Sequence, residues 1–217
     1  MSAGARRWRL RIGLLLIAVG LALLGYVGWE LFGTNIVADR HRDQVLGELN
    51  RAWDGGRTEA TTGRGTAREV IRIPRFGSDY RVPVLDGTSD TVLATGFGHY
   101  PDTARPGEVG NFAVAAHRVT HGQPLRGMPD LRAGDLVLVD TARTTYTYRL
   151  LTGGDDLVVP FTAGWVLDAL PASPDGGVAP PQRPGQQLIT LTTCSELFHT
   201  DNRMVAFGIL VDTSPRK

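Results

Sequence analysis

The spacing of hydrophobic positions changes character along the chain. Ile12 to Trp29 run eighteen positions without a charge, long enough for a helix to cross a bilayer. Arg6, Arg7, Arg9 and Arg11 precede the run, and Tyr26 and Trp29 stand at its exit, where aromatic side chains anchor a helix at the membrane interface. A cleaved signal peptide shares the basic start but has a shorter apolar core followed by small residues. The pattern therefore predicts a basic cytoplasmic tail over 1–11, a retained transmembrane signal-anchor over 12–32, and a single pass that leaves the remainder of the chain outside the cell membrane.

Beyond the apolar run, Asp39 to Trp53 contain enough helix formers for a short helix, which Asp54-Gly-Gly-Arg-Thr then breaks. With the polar residues up to Ala67, this stretch reads as an extracytoplasmic stalk over 33–67. From Arg68 the pattern becomes short apolar or alternating runs between Gly, Pro and Asp. Val70–Ile73, Tyr80–Leu85, Thr91–Thr95, Asn111–Ala116, Asp135–Asp140, Thr144–Leu151, Leu188–Thr193 and Arg203–Val211 all read as strands. Eight strands in about 145 residues, with no long helical period, predict a mostly β domain over 68–217: one closed or nearly closed eight-stranded barrel with short helices. The Pro- and Gly-dense segment 171–185 reads as an ordered loop or a mobile lid.

The length of 217 residues, less the membrane segment, suits one domain with a sizeable core. A net charge of +1 argues against a nucleic-acid partner. Cysteine usage changes the picture more. Exported proteins that use thiols structurally carry them in pairs, yet Cys194 is the only cysteine. Its roles reduce to packing, an intermolecular link, or nucleophilic chemistry.

A cysteine nucleophile needs a thiolate, a proton shuttle and positive charge where the oxyanion develops. His117 ends the run Asn111-Phe-Ala-Val-Ala-Ala-His, with small Ala113 and Ala115 on its face by alternation. Cys194 shares a face with Thr190 and Thr192, while Ile189 and Leu191 point to the core. Arg203 opens the next strand after eight intervening residues, a hairpin-type connection that brings the guanidinium near the sulfur if the strands pair antiparallel. His99 and His121 compete with His117 as candidates. Metal is disfavoured, since no carboxylate or third histidine completes a set of recognised spacing.

Thr-Leu-Thr-Thr-Cys194 followed nine residues later by Arg203 resembles the signature of the sortase family, membrane-anchored cysteine transpeptidases. Asn111-Phe-Ala-Val-Ala-Ala-His117-Arg is similar to the strand that carries the family's histidine, and Gly98-His-Tyr100-Pro to a segment of class E sortases of actinobacteria. The resemblance covers about residues 68–212. It implies Cys194 as nucleophile, His117 as proton donor and acceptor, Arg203 as oxyanion stabiliser, and Tyr100 as a reader of the second residue of a Leu-Ala-x-Thr-Gly or Leu-Pro-x-Thr-Gly sorting signal. Thr192, by strand parity, would line the groove beside the sulfur. The implied partners are surface proteins bearing a C-terminal sorting signal and a peptidoglycan precursor amine, with no cofactor. Glu196 departs from the proline that many relatives carry two residues after the cysteine.

Leu93-Ala-Thr-Gly96 loosely echoes a sorting signal, but it falls inside an expected strand and lacks the apolar segment and basic tail of a sorted substrate. Two other readings stay open: a membrane-tethered β-barrel binding module with an inert thiol, and a different exported cysteine peptidase.

Overall fold

The computed structural model describes residues 3–29, 33–194 and 201–216. Helix α1 (Ala3–Gly28) contains an eighteen-residue window, Arg11–Gly28, that is long and apolar enough to cross a membrane and has none of its residues buried against the rest of the chain. Helix α2 (Thr34–Asp54) follows. Ten strands come next in the described residues: β1 (Ala60–Thr62), β2 (Gly65–Arg72), β3 (Val82–Asp86), β4 (Phe97–His99), β5 (Gly110–Ala115), β6 (Leu136–Asp140), β7 (Thr144–Leu150), β8 (Val158–Pro160), β9 (Gln187–Cys194) and β10 (Asn202–Pro215). One short helix, α3 (Asp90–Leu93), precedes β4.

Eight of these strands close a barrel in the order β2-β3-β4-β5-β9-β10-β7-β6, with β6 pairing back to β2. β1 adds a hairpin arm to β2, and β8 pairs with the start of β10. Neighbours are antiparallel except β3–β4 and β5–β9. Closure leaves the ring no free edge. Its interior is filled by Ile71, Val84, Phe97, Phe112, Val114, Val139, Tyr148, Ile189 and Leu191, all fully buried. Each such side chain contributes on the order of 2 kcal/mol of burial. Tyr148 keeps its hydroxyl satisfied by accepting the Gly107 N–H at 2.8 Å.

Two expectations are corrected here. Residues 34–67 do not form a stalk. In α2 the apolar positions Val45, Leu49, Ala52 and Trp53 recur at helical spacing and are buried against Ala60, Ala67, Val70, Leu85 and Val92 on the outside of the barrel. Trp53 donates its indole N–H to the Thr58 carbonyl at 3.3 Å, and the Arg216 guanidinium lies 4.5 Å from its ring centre. Thr91–Thr95 is likewise no strand. Asp90 sits in the first turn of α3, Leu93 N–H bonds the Ser89 carbonyl at 2.9 Å, and Thr95 folds its hydroxyl back onto the Thr91 carbonyl at 2.9 Å. Leu93–Gly96 is therefore the end of a helical turn leading into β4. A Cβ on Gly96 would lie 2.4 Å from the Pro83 carbonyl, so only glycine admits that approach.

Segment 171–185 is a hydrogen-bonded loop, in which Gln182 donates its amide to the carbonyls of Pro171 and Pro180 at 2.6 and 2.9 Å. The Thr141–Arg143 turn lies at the opposite end of the barrel from Arg203, because Thr144 pairs with Pro215 at the far end of β10. Glu69, Arg68 and Arg105 gather beside that turn. The Glu69 carboxyl accepts from Arg105 at 3.3 Å through one oxygen, while the other has no partner among the described residues. Burial outweighs the arginines and pushes this carboxyl up to about 7.

Candidate active site

Strand alternation decides which side chains of β9 meet the core. Ile189 and Leu191 enter the barrel interior, which sends Thr190 and Thr192 to the outer face. There the Thr190 hydroxyl donates to Asn111 Oδ1 at 2.7 Å, and Asn111 Nδ2 donates to the carbonyls of Val166 and Asp168 at 3.1 Å each. That pin holds the segment after β8 across the outer face. Val159 of β8 and Val166 of the segment bury Val205 and Phe207, which share the outer side of β10 with Arg203.

Register brings the three candidates to one level. In the antiparallel β9–β10 pair Cys194 lies directly opposite Arg203. In the parallel β5–β9 pair Ala115 lies opposite Thr192, so two residues on, His117 follows β5 where β9 reaches Cys194. The backbone is tied at this level on both sides. Ala116 N–H bonds the Thr192 carbonyl at 3.1 Å, and the Thr193 hydroxyl donates to the Ala116 carbonyl at 2.7 Å. The Cys194 side chain and Glu196 lie outside the described residues.

A pocket of about 140 Å³ opens here, lined among others by Tyr100, Ala115, His117, Phe161, Thr192 and Arg203. The small Ala115 leaves the space expected beside the histidine, whereas Ala113 is fully buried. Arg203 is 6% exposed and makes no ion pair with a carboxylate among the described residues. It donates through Nη1 to the Tyr100 hydroxyl at 3.2 Å and through Nη2 to the Phe161 carbonyl at 2.5 Å, with its carbon 3.9 Å from the Phe161 ring centre. Its Nε has no partner among the described residues. A buried guanidinium held by neutral acceptors stabilises any negative charge that develops beside it.

The hydrogen bonds around Tyr100 have one direction. Thr192 spends its proton on the Val114 carbonyl at 3.2 Å, so Tyr100 donates to Thr192 at 3.2 Å while accepting from Arg203. Tyr100 is thereby fixed between the arginine and β9.

His117 is half-buried, and its carbonyl accepts the Leu125 N–H at 3.0 Å. Burial first, then the neighbouring His121, hold its imidazole below the ordinary range, with Asp90 partly opposing. The neutral ring is therefore favoured at neutral pH. The competing histidines take other places. His99 is buried, within hydrogen-bond distance of the Ala104 carbonyl (3.1 Å) and the Thr103 hydroxyl (3.0 Å). His121 stacks on His117, with ring centres 5.0 Å apart. Among the described residues no three His, Cys, Asp or Glu side chains gather as a metal site.

Sequence reasoning missed Phe161, Leu93 and Thr88 as walls of this pocket. Phe161 arrives from the segment pinned by Asn111, Leu93 comes from the stretch misread as a strand, and Thr88 from the turn between β3 and α3. Asn111 lies opposite Leu188 and bonds Thr190 two residues further along β9, a contact between distant strands that no local sequence pattern encodes.

The sortase domain profile matches residues 71–211. Sortase SrtE1 of Streptomyces coelicolor is 32% identical over 94% of this chain, and the chain spans 58% of that relative's length. The structure of sortase E from Streptomyces avermitilis is similar at 38% identity and a TM-score of 0.61, covering 71% of this chain and 93% of that one. Sortase E1 of Streptomyces coelicolor, solved with a tripeptide in the active site, shows 30% identity and a TM-score of 0.59 over 72% of this chain and 94% of its own. With its closed barrel and the level placement of Cys194, His117 and Arg203, the chain belongs to the sortase family, whose members are cysteine transpeptidases.

Proposed function

We propose that the chain is a membrane-anchored cysteine transpeptidase that cleaves the Thr-Gly bond of a Leu-Ala-x-Thr-Gly or Leu-Pro-x-Thr-Gly sorting signal and transfers the new acyl group to a cell-wall amine. The observation that carries this reading is the register that sets Cys194 of β9 opposite Arg203 of β10 and brings His117, just after β5, to the same level, with His117 and Arg203 lining one pocket.

In the first step His117, a neutral ring at rest, takes the thiol proton of Cys194, and the resulting thiolate attacks the threonine carbonyl. Charge developing on the carbonyl oxygen is met by Arg203, whose Nε has no acceptor among the described residues. The Thr–Gly bond breaks, the glycine amine leaves with a proton from His117, and a thioester remains. In the second step an acceptor amine attacks the thioester, returns a proton to His117 and releases the thiolate. Dividing one amide exchange into two steps is the gain from covalent catalysis. Tyr100 and Thr192, joined by a hydrogen bond on the pocket wall, contact the second residue of the signal. In this reading α1 spans the membrane with the arginine-rich end in the cytoplasm, and the barrel works on surface proteins and peptidoglycan precursors outside.

The test uses full-length protein in detergent micelles, since α2 is packed on the barrel. It is incubated with a Leu-Ala-x-Thr-Gly or a Leu-Pro-x-Thr-Gly peptide and a glycine-type amine, and products are read by mass spectrometry. Ligated product that vanishes in Cys194→Ala supports the reading. Hydrolysis without ligation favours a peptidase, and no turnover of either motif returns the binding module.

A further inference from the structure

The turn after His117 holds a second histidine in an unfavourable backbone conformation. His121, Gly122 and Gln123 have φ of +55°, +75° and +47°, three successive left-handed residues of which only the middle one is glycine. Such a conformation persists where the surroundings over-determine it, and these sites cluster where function needs a fixed geometry. Here the constraint comes from α2. The Gly122 N–H donates to Asn35 Oδ1 at 2.8 Å, and Arg42 Nη2 donates to the Gly122 carbonyl at 3.2 Å. A Cβ on Gly122 would meet that guanidinium at 2.5 Å. Arg42 is itself held by Asp39 at 3.1 Å. On the other side of the turn, the Gln123 amide donates to the Val119 carbonyl at 2.6 Å.

The outcome is the ring stack: His121 lies on His117 with ring centres 5.0 Å apart and planes 28° from parallel. His117 is the pocket residue, whereas His121 faces a separate cavity of about 410 Å³ between α2 and the barrel. We propose that His121 is a positioning residue for the His117 imidazole, forming the wall that orients it toward the end of β9, and that α2 fixes this wall through Gly122. The inference rests on the reading of His117 as the proton shuttle.

Two consequences follow from the chemistry of stacked imidazoles. A ring backed by a flat aromatic face loses rotational freedom, and misplacing a catalytic group by about 1 Å costs up to about 100-fold. A second protonatable ring at this separation also disfavours the imidazolium of the first. Among the described residues, the charged and titratable groups lining the cavities on either side of the pair are Asp90 from α3, His41 from α2 and Arg64 from the β1–β2 turn, with Arg203 across the pocket, while Arg42 of α2 reaches the turn at Gly122. Asp90 opposes the effect of His121 on His117. Removing His121 thus raises the pH at which His117 titrates.

The experiment compares full-length wild type, His121→Ala, His121→Phe, the double variant Asn35→Ala/Arg42→Ala, and His117→Ala in detergent micelles. Peptide ligation is measured as kcat and KM across pH, the His117 imidazole is followed by NMR, and folding is checked by thermal unfolding. His121→Ala is expected to lower kcat about tenfold with KM within about twofold, and to move the acid-side midpoint of kcat/KM to higher pH. His121→Phe keeps a flat ring without a charge, so it restores kcat while retaining the raised midpoint. Loosening the α2 clamp reproduces the fall in kcat. An unchanged pH profile and kcat in His121→Ala overturns the inference, and so does a loss that tracks unfolding and is not rescued by phenylalanine. Activity persisting in His117→Ala instead overturns the reading of His117, which separates the two failures.

Discussion

Replacing Arg203 probes the strongest electrostatic feature of the pocket. Arg203→Ala deletes a nearly buried cation together with its bonds to the Tyr100 hydroxyl and the Phe161 carbonyl. Loss of one oxyanion donor costs about 100- to 1,000-fold in kcat, or about 3–4 kcal/mol of transition-state stabilisation. Arg203→Lys restores the charge but not the fork, because an ammonium is a point donor without the planar geometry that reaches both Tyr100 and Phe161. The expected order is wild type, then lysine about tenfold or more lower, then alanine lower again by a similar factor. The assay is peptide ligation followed by mass spectrometry under saturating peptide, with thermal unfolding measured beside it. Because the guanidinium is held by neutral acceptors, its removal should cost less in stability than in activity. Arg203→Ala with kcat within about threefold of wild type would refute the oxyanion argument, as would a fall in rate matched by loss of folded protein.

Tyr100→Phe removes the hydroxyl between Arg203 and Thr192, and with it two hydrogen bonds, while leaving the ring; at about 1 kcal/mol net for each, kcat/KM for Leu-Ala-x-Thr-Gly should drop about 5- to 30-fold in the same ligation assay. Trp53→Ala opens the contact between α2 and the barrel, where Trp53 is 5% exposed, and should cost about 3 kcal/mol, seen by calorimetry as a Tm lower by about 10 °C. Glu69 gives stability a pH dependence. Its carboxyl is raised to about 7 in the folded chain from 4.5, so the folded state binds the proton more tightly, and stability falls as pH rises from about 4.5 through 7 by at most about 3 kcal/mol. Glu69→Gln should flatten that fall in denaturant titrations at pH 5, 6, 7 and 8, and an equally steep wild-type slope in the variant would contradict it.

The centre of the fold was legible because its chemistry is local to strands. Ile189 and Leu191 alternate with Thr190 and Thr192, and this parity alone assigns the faces of β9. The short connection from Cys194 to Arg203 fits a hairpin, and the antiparallel pairing that brings the two residues together is the one the structure has. The parallel pairing of β5 with β9 is different, since some seventy residues separate the strands and no local pattern encodes it. For His117, family resemblance supplied what periodicity did not. Thr91–Thr95 misled because its β-branched residues imitate a strand, while the Ser89–Asp90 start and the back-folded Thr95 hydroxyl favour a helical turn. The stretch 34–67 misled through its polar average; the apolar stripe Val45, Leu49, Ala52 and Trp53 was present in the sequence and marks a docked face. Phe161 had no readable signal, because its place beside Arg203 depends on how Asn111 pins a distant segment.

The most direct test of the account is the covalent intermediate. Full-length protein is mixed with a Leu-Ala-x-Thr-Gly peptide without added amine, quenched in acid, and analysed by intact mass and peptide mapping. The account predicts an adduct equal to the Leu-Ala-x-Thr acyl group, mapped to Cys194 and absent in Cys194→Ala. Peptide turnover that proceeds undiminished in Cys194→Ala, with no adduct on the wild-type cysteine, would contradict it.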